Sequence, residues 1–380
     1  MKERVLHVIK FLGGGGAEAV LYNLWPSLCR SDRYDFELCV LQYTGDYGER
    51  LASEGATIHN LGRKRKYDPG IVLALRKLIR QGSYSVVHAH LFPELQIVAL
   101  ATAGLPNVRL VYTEHRSTNR RRKLGRVGRM VDKLAYDCYD RIISVNASTH
   151  ESLISWQPWV NDRSLVIRNC TRPTPEFGSR VAARQRLLVE LGIPGSDKTL
   201  ILFASRLHRQ KGVDVLLSAL ARLNRADYLC LIAGTGEEKE HLERMAESLG
   251  LNDRVRFLGF RLDVPELLQH TDFMVLPSRY EGMPLIILEA MSSGCPIIAT
   301  SVDGTAEVLR DKDSALLVAP DDPAQLATAI DRYLDNPAFR AELAERALFD
   351  SRDYSADQVA QQLLQVYDAA LRKSPDALVA

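Results

Sequence analysis

The chain has 380 residues, enough for two domains of ordinary size. With 46% apolar and 25% charged residues it matches the globular average, which excludes disordered, collagen-like and disulfide-scaffold classes; no apolar run nears the roughly 20 residues that cross a bilayer. The net charge of +2 hides an asymmetry: residues 1–170 carry 25 Lys+Arg against 16 Asp+Glu, the remainder 24 against 31, so the first half is the one that offers a positive field to a partner.

In chain order, strands are expected at Val5–Leu12, Phe36–Gln42, Ser85–His90, Val108–Thr113 and Arg141–Val145, with helical patterns at Leu73–Arg80 and Leu124–Cys138 between them. After Pro/Gly-rich passages at Arg172–Gly178 and Gly192–Gly195 the alternation restarts. Its strands are expected at Thr199–Ser205, Tyr228–Ala233, Val255–Leu258, Phe273–Pro277, Pro296–Thr300 and Ala315–Val318. Short strands alternating with helices predict an α/β chain of two doubly wound Rossmann-like domains, residues 1–170 and 171–355, facing across a cleft. The tail at 356–380 starts as a helix, Ala356–Leu371, which caps the second domain or crosses back to the first. Val5–Ile9 is too short for a secretory signal, so a cytoplasmic chain is expected. Six scattered cysteines without a C-x-x-C point to neither disulfides nor structural zinc.

The residues that carry chemistry should follow strand ends. Gly13-Gly14-Gly15-Gly16-Ala17-Glu18 opens a helix; glycines let backbone N–H groups approach an anion, so the segment reads as a phosphate contact or as a structural tight turn. It departs from the dinucleotide fingerprint, whose last glycine falls at Glu18. Pro26 predicts a kink or early end of that helix. Arg206, followed by Lys211-Gly212, offers a fork and a point charge to a diphosphate, or is a solvated basic loop. Ala233-Gly234-Thr235-Gly236 suits a nucleoside or tight helix–sheet packing. In Pro277–Met291, Pro284 suits the first helical position, which leaves Glu281 in the loop before a helix and Glu289 within it. Leu285 to Leu288 leave little polar face there, so Glu289 is expected partly buried and in need of partners.

Taken together, the Gly-Gly-Ala-Glu at 15–18, Arg206 with Lys211-Gly212, Phe257-Leu258-Gly259 and the Pro277–Met291 run, whose Glu281 and Glu289 form an E-x7-E pattern, resemble a retaining glycosyltransferase of the GT-B fold. The group it resembles includes bacterial polysaccharide and lipid-glycan transferases. The resemblance implies a nucleoside-diphosphate sugar as donor, UDP favoured, and transfer of a hexose-type sugar to a glycan or polyprenyl-linked acceptor. It places Glu289 and Gly234 at the nucleoside, Arg206 and Lys211 at the diphosphate with Gly15 and Gly16 closing over it, and Gly282, Met283, Pro284 and Leu285 with Glu281 on the donor sugar. His115 falls beside the reacting sugar as a catalytic residue with Glu281, and His88 and His90 on the acceptor side. No metal or cofactor is implied, and the D-x-D match, Asp311-Lys312-Asp313, reads as an exposed turn. The family's usual Asn-Gly and Gly-Gly are here Asn169-Cys170 and Asp303-Gly304. A sugar-nucleotide epimerase and a non-catalytic nucleotide-sugar-binding regulator are the competing readings.

Between Arg116 and Lys133 there are eight basic residues and one acid, Asp132, and Arg63-Lys64-Arg65-Lys66 adds four. Leu124, Val127, Val131, Leu134 and Cys138 recur at helical spacing, so that face is expected to pack inward while the arginines meet an anionic membrane or lipid-linked acceptor. No aromatic residues interleave the arginines to stack bases, so nucleic acid is not expected.

Overall fold

The computed structural model describes residues 2–13, 15–63, 68–115, 125–172, 180–193 and 195–372. Gly14, Lys64–Lys66 and the arginine-rich stretch Arg116–Lys123 lie outside them. The chain divides into two compact units, residues 1–171 with those from Tyr354 onward, and Arg172–Asp353.

In the first unit the elements run β1 (Glu3–Phe11), α1 (Gly16–Cys29), β2 (Tyr34–Tyr43), α2 (Gly45–Ser53), β3 (Ile58–Asn60), α3 (Gly70–Gly82), β4 (Val86–His90), α4 (Glu94–Thr102), β5 (Arg109–Glu114), α5 (Gly125–Tyr136), β6 (Arg141–Ser144), α6 (Ala147–Trp156) and β7 (Ser164–Val166). Among the described residues the strands form one parallel sheet, ordered β3-β2-β1-β4-β5-β6-β7. Its edge strands β3 and β7 have three residues each, too few for a period-2 signal, and the sequence pattern missed both. Helix α1 runs three residues past Pro26 instead of stopping there; the proline falls in its last turn.

In the second unit come α7 (Arg180–Glu190), β8 (Thr199–Ala204), α8 (Val213–Leu220), β9 (Tyr228–Ala233), α9 (Lys239–Ser248), β10 (Val255–Gly259), α10 (Val264–His270), β11 (Phe273–Leu276), α11 (Leu285–Ser292), β12 (Ile297–Thr300), α12 (Asp303–Ala306), β13 (Leu316–Val318), α13 (Pro323–Asp335) and α14 (Pro337–Asp350). The parallel order is β10-β9-β8-β11-β12-β13. Strand order therefore reverses between β1 and β4 in the first sheet and between β8 and β11 in the second, and ligands of such sheets bind beyond the strand ends at that switch.

The last helix, α15 (Ala356–Arg372), belongs to the first unit and packs on α1. Its residues Val359, Leu363, Val366, Tyr367 and Ala370 recur at helical spacing and join the core made by Val5, Ile9 and Val111 on one face of the sheet. Burying Val359, Leu363 and Val366 contributes about 1.5–3 kcal/mol each before the entropy of ordering is subtracted. Leu6, Val8 and Val87 point the other way, to a second core with α3 to α6.

Helix α5 corrects the inward-packing expectation. Val127, Val131 and Leu134 are 66%, 45% and 67% exposed, Cys138 is exposed, and Gly128, Asp132, Ala135 and Tyr136 are the buried stripe. Both stripes have helical spacing, and polar anchors select between them. Trp156 Nε1 donates to Asp132 at 2.9 Å and the Tyr136 hydroxyl to Glu114 at 3.1 Å.

The same period-2 geometry turns His7, His88 and His90 onto the α15 face, where they are 0%, 1% and 4% exposed. Burial pushes His7 down to about 3; His88 and His90 are pushed well below the usual imidazole value by burial first and by neighbouring imidazoles second. A histidine whose folded value lies below its unfolded value of about 6.5 contributes full stability above that pH and loses it as pH falls. Each unmatched proton costs about 1.4 kcal/mol per pH unit. Trp25, Trp156 and Trp159 all lie in the first unit, so tryptophan fluorescence reports on it alone. Its urea midpoint should drop steadily from pH 6.5 to 5, and a flat midpoint over that interval would show that the three rings accept protons without unfolding.

Candidate functional site

The switch point of the second sheet gathers the sequence candidates of that unit. After β8 the chain passes Arg206, which is exposed, and turns through Gly212 at φ +65° into α8. A Cβ on Gly212 would lie 2.0 Å from the Pro277 carbonyl oxygen, so only glycine lets this turn press against the segment that follows β11. Pressed together, the two segments pair: Lys211 Nζ lies 2.6 Å from Glu281 Oε1, which also accepts from the Ser278 hydroxyl at 2.6 Å, and both partners of the ion pair are nearly buried. The sequence assigned Lys211 to a phosphate and Glu281 to a sugar; the structure joins them. An ammonium has three donors, so Lys211 keeps capacity for an anion.

A second pair that the sequence did not suggest clamps the same two segments. Arg279 grips Asp214 of α8 through two nitrogens at 2.9 and 2.7 Å, reaches Asp321 at 2.7 Å, and donates to the Arg209 carbonyl at 2.6 Å. Asp214 is held below the usual carboxylate range: burial opposes this, and the Arg279 hydrogen bond and charge outweigh it. The pair was invisible because residues 214 and 279 become neighbours only when β8 and β11 pair.

Glu281, Gly282, Met283 and Pro284 lead into α11, which begins at Leu285; Pro284 is its cap with ψ 117°, one position earlier than expected. On the far side, a Cβ on Gly304 would lie 1.8 Å from the Gly282 carbonyl oxygen, so Asp303-Gly304 supports the loop by close approach. Glu289 is half-buried on α11, and burial pushes its carboxyl up to about 7. Gly234, at φ 147°, closes on Ser205 after β9 in the same unit. Asp311 and Asp313 are exposed about a left-handed Lys312, in the turn expected of them.

In the first unit, Gly15 caps α1 and Gly16 begins it. The buried Glu18 carboxylate folds back so closely that a Cβ on Gly15 would meet it at 2.1 Å. A phosphate bound here would share the positive helix start with the Glu18 carboxylate. His115, just past β5, is half-buried. His88 and His90, expected to face an acceptor, are instead interior. His88 reaches Thr113 Oγ1 at 2.7 Å and the Tyr367 hydroxyl at 2.8 Å; His90 reaches His7 at 2.9 Å and His115 at 3.3 Å. His7 and Tyr367 were not singled out in the sequence, although His7 lies opposite His88 in the β1–β4 register. Among the described residues, His7, His88 and His90 bring three ligand-type atoms within 4.8 Å of one another. All six of their ring nitrogens already have hydrogen-bond partners, so a cation would have to break several buried bonds.

Residues 14–174 match the model of Glycosyltransferase Family 4, and residues 189–348 that of Glycosyl transferases group 1. The chain is 30% identical to the D-inositol 3-phosphate glycosyltransferase of Xylanimonas cellulosilytica, over 78% of this chain and 74% of that protein. It is 31% identical to an uncharacterized glycosyltransferase of Methanocaldococcus jannaschii, and 32% identical to the alpha-D-kanosaminyltransferase of Streptomyces kanamyceticus. It spans only 60% and 49% of the length of these last two. In structure it resembles HepE of Anabaena, solved with UDP and glucose, with a TM-score of 0.83 and 21% identity over 97% of this chain and all of that one. Sucrose-phosphate synthase of Thermosynechococcus elongatus follows the same fold, with a TM-score of 0.80 and 20% identity over 98% of this chain and all of that one.

Removing either member of the Lys211–Glu281 pair leaves a nearly buried charge uncompensated, at a cost of about 3 kcal/mol. A cycle of Lys211→Met, Glu281→Gln and the double variant, read by urea denaturation of the second unit, should give a coupling of about 1 kcal/mol or more. Additive effects would mean that the two side chains do not depend on each other.

Proposed function

Because this chain belongs to the glycosyltransferases, with the GT-B fold, we propose that it is a retaining, metal-independent hexosyltransferase. Its donor is a nucleoside-diphosphate sugar, UDP favoured, and its acceptor a glycan or polyprenyl-linked intermediate of bacterial surface polysaccharide or glycolipid synthesis. The observation that carries the reading is the switch point of the second sheet, where Lys211, Glu281 and the start of α11 lie together and Glu289 follows on the helix. HepE, with its UDP and glucose, supports the choice of donor.

In this reading Arg206 and Lys211 hold the diphosphate and stabilise the charge that builds on it as it leaves, the work a metal does in other transferases. Glu281 and the first-turn amides of α11 hold sugar hydroxyls, Gly234 lies at the nucleoside, and Glu289 accepts from the ribose. The acceptor hydroxyl attacks the anomeric carbon on the face from which the phosphate departs, and its proton passes to that phosphate oxygen. His115 keeps the catalytic role that the resemblance assigns it.

The donor contacts separate by variant. With EDTA present throughout, Glu289→Ala should weaken UDP-glucose binding about tenfold or more, while Glu281→Ala should mainly lower kcat, since a contact strengthened in the transition state appears in the rate. Equal loss of affinity in both contradicts the division, and activity that EDTA abolishes contradicts metal independence. Ribose hydroxyls favour the ionised carboxylate, so binding releases a proton from Glu289. Affinity should therefore rise with pH up to about 7 and then level, and Glu289→Gln should flatten the profile.

We also place the protein peripherally on an anionic membrane. No helix among the described residues is long and apolar enough to cross one. Exposed Val127, Met130, Val131 and Leu134 share α5 with exposed Arg126, Arg129 and Lys133, and Trp159 lies under the last two at 5.4 and 4.8 Å. An apolar ridge with cations and a tryptophan at its margin suits the bilayer interface. In sedimentation assays the protein should favour anionic over neutral vesicles at low salt. Val127→Gln with Leu134→Gln should lower the bound fraction by about tenfold in partition coefficient. No preference for anionic vesicles would remove the membrane from the reading and leave the transferase intact.

A further inference from the structure

The segments after β8 and β11 are bonded to each other on both sides of Lys211. The Arg279 backbone N–H donates to the Gln210 carbonyl at 2.8 Å, and the Gln210 side-chain amide donates back to the Tyr280 carbonyl at 2.7 Å. The Arg279 guanidinium reaches the Arg209 carbonyl at 2.6 Å, the two Asp214 oxygens at 2.9 and 2.7 Å, and Asp321 at 2.7 Å. Residues 209, 210 and 214 are thus each tied to residue 279 or 280. Lys211 and Glu281 are the next residues along, and they form the ion pair at 2.6 Å.

That bond fixes the separation of the two charged heads, but not the place of the pair in the site. A lysine ammonium is a point charge on a flexible stem, so its place is set by the backbone that carries it. Arg279 constrains that backbone. Its guanidinium is a planar fork of five N–H donors, and all three nitrogens are engaged, on acceptors from three pieces of chain. These are the Arg209 carbonyl ahead of Lys211, Asp214 in the first turn of α8, and Asp321 ahead of α13. A fork held in this way neither slides nor turns. The Arg279 and Asp214 side chains are 19% and 37% exposed, and an ion pair open to water to that degree adds little to stability. What it does supply is a fixed register between residues 209–214 and 279–281.

We propose that Arg279 is a positioning residue for the Lys211–Glu281 pair, fixing through Asp214 and the Arg209 carbonyl the place at which the ammonium meets the carboxylate. This deepens the transferase reading, on which the roles of Lys211 and Glu281 rest. With one group on the diphosphate and the other on the sugar, the pair spans the bond that breaks, and a misplacement of about 1 Å there costs on the order of 100-fold in rate. With its own nitrogens engaged by the protein, Arg279 acts through the pair.

The test repeats the double-mutant cycle of Lys211→Met and Glu281→Gln, read by urea denaturation, in full chains that carry Arg279→Lys, which keeps the charge and loses the fork. The coupling between Lys211 and Glu281 should fall to half or less of its value with Arg279 in place. A clamp that only adds stability would lower every variant alike and leave the coupling unchanged, and that result overturns the proposal. Should Arg279→Lys fail to fold, Asp214→Asn, which weakens the grip on α8 and spares the Arg209 contact, decides by the same cycle. In turnover, Arg279→Lys should lower kcat about tenfold and change KM for UDP-glucose less than threefold, since Gly234 and Glu289 still hold the nucleoside. In a Glu281→Gln background the same substitution should cost less than twofold in kcat; a tenfold loss persisting there would show that Arg279 acts by another route. The cycle needs no substrate. Lost coupling in a protein that transfers no sugar keeps the positioning and removes the transferase reading, while unchanged coupling in an active enzyme does the reverse.

Discussion

A parallel sheet covered on both faces has no water for its polar side chains, and the first sheet of this protein buries three imidazoles in adjacent strands. That need for partners ties the end of the chain to its beginning. His7 lies beside His88 in the β1–β4 register, His90 beside Thr113 in the β4–β5 register, and the pleat turns all four side chains to one face. Helix α15 brings Tyr367 to that face, and its single hydroxyl serves both His7 and His88. The apolar stripe on the same helix covers Val5, Ile9 and Val111. A segment that follows the whole second unit in sequence is thus part of the interior of the first.

The second unit meets a different constraint, the distance of closest approach between backbones. At Gly212 and Gly304 the chain presses against carbonyl oxygens of the Pro277–Gly282 loop, where no side chain would fit. Two ion pairs, Lys211–Glu281 and Arg279–Asp214, then fix the loop to the segment after β8. Taking Lys211 and Glu281 out of water costs free energy that a mutual hydrogen bond only partly offsets, so stability alone is a weak reason for the pair. Its location at the strand-order reversal gives a better one, since charges held in place before a ligand arrives need no reorganisation when charge develops.

On α5 the polar interior again decides. Asp132 and Tyr136 find partners in Trp156 and Glu114, and in facing them the helix turns its larger apolar residues outward. The exposed ridge is a consequence of satisfying buried polar groups, and its amphipathic spacing was compatible with either orientation. Three exposed cations, Arg126, Arg129 and Lys133, and the apolar ridge consequently share one surface helix.

By itself the sequence determined the alternation of strands and helices, the restart of that alternation after residue 171, and the order of the motifs, because period-2 and period-3.6 patterns, glycines and prolines act locally. The places of Glu281 before a helix and of Glu289 within it were legible because a proline marks that helix start, and the place of His115 because it follows a strand. Tertiary structure decided which face of α5 is buried, that His88 and His90 are interior, that Lys211 pairs with Glu281, that Arg279 clamps Asp214, and that Tyr367 answers His7. Each of these joins residues brought together only by strand order or by the return of the last helix. Partners so far apart leave no trace in local spacing, since the energy that selects them, pairing of polar groups removed from water, exists only once the sheets have formed.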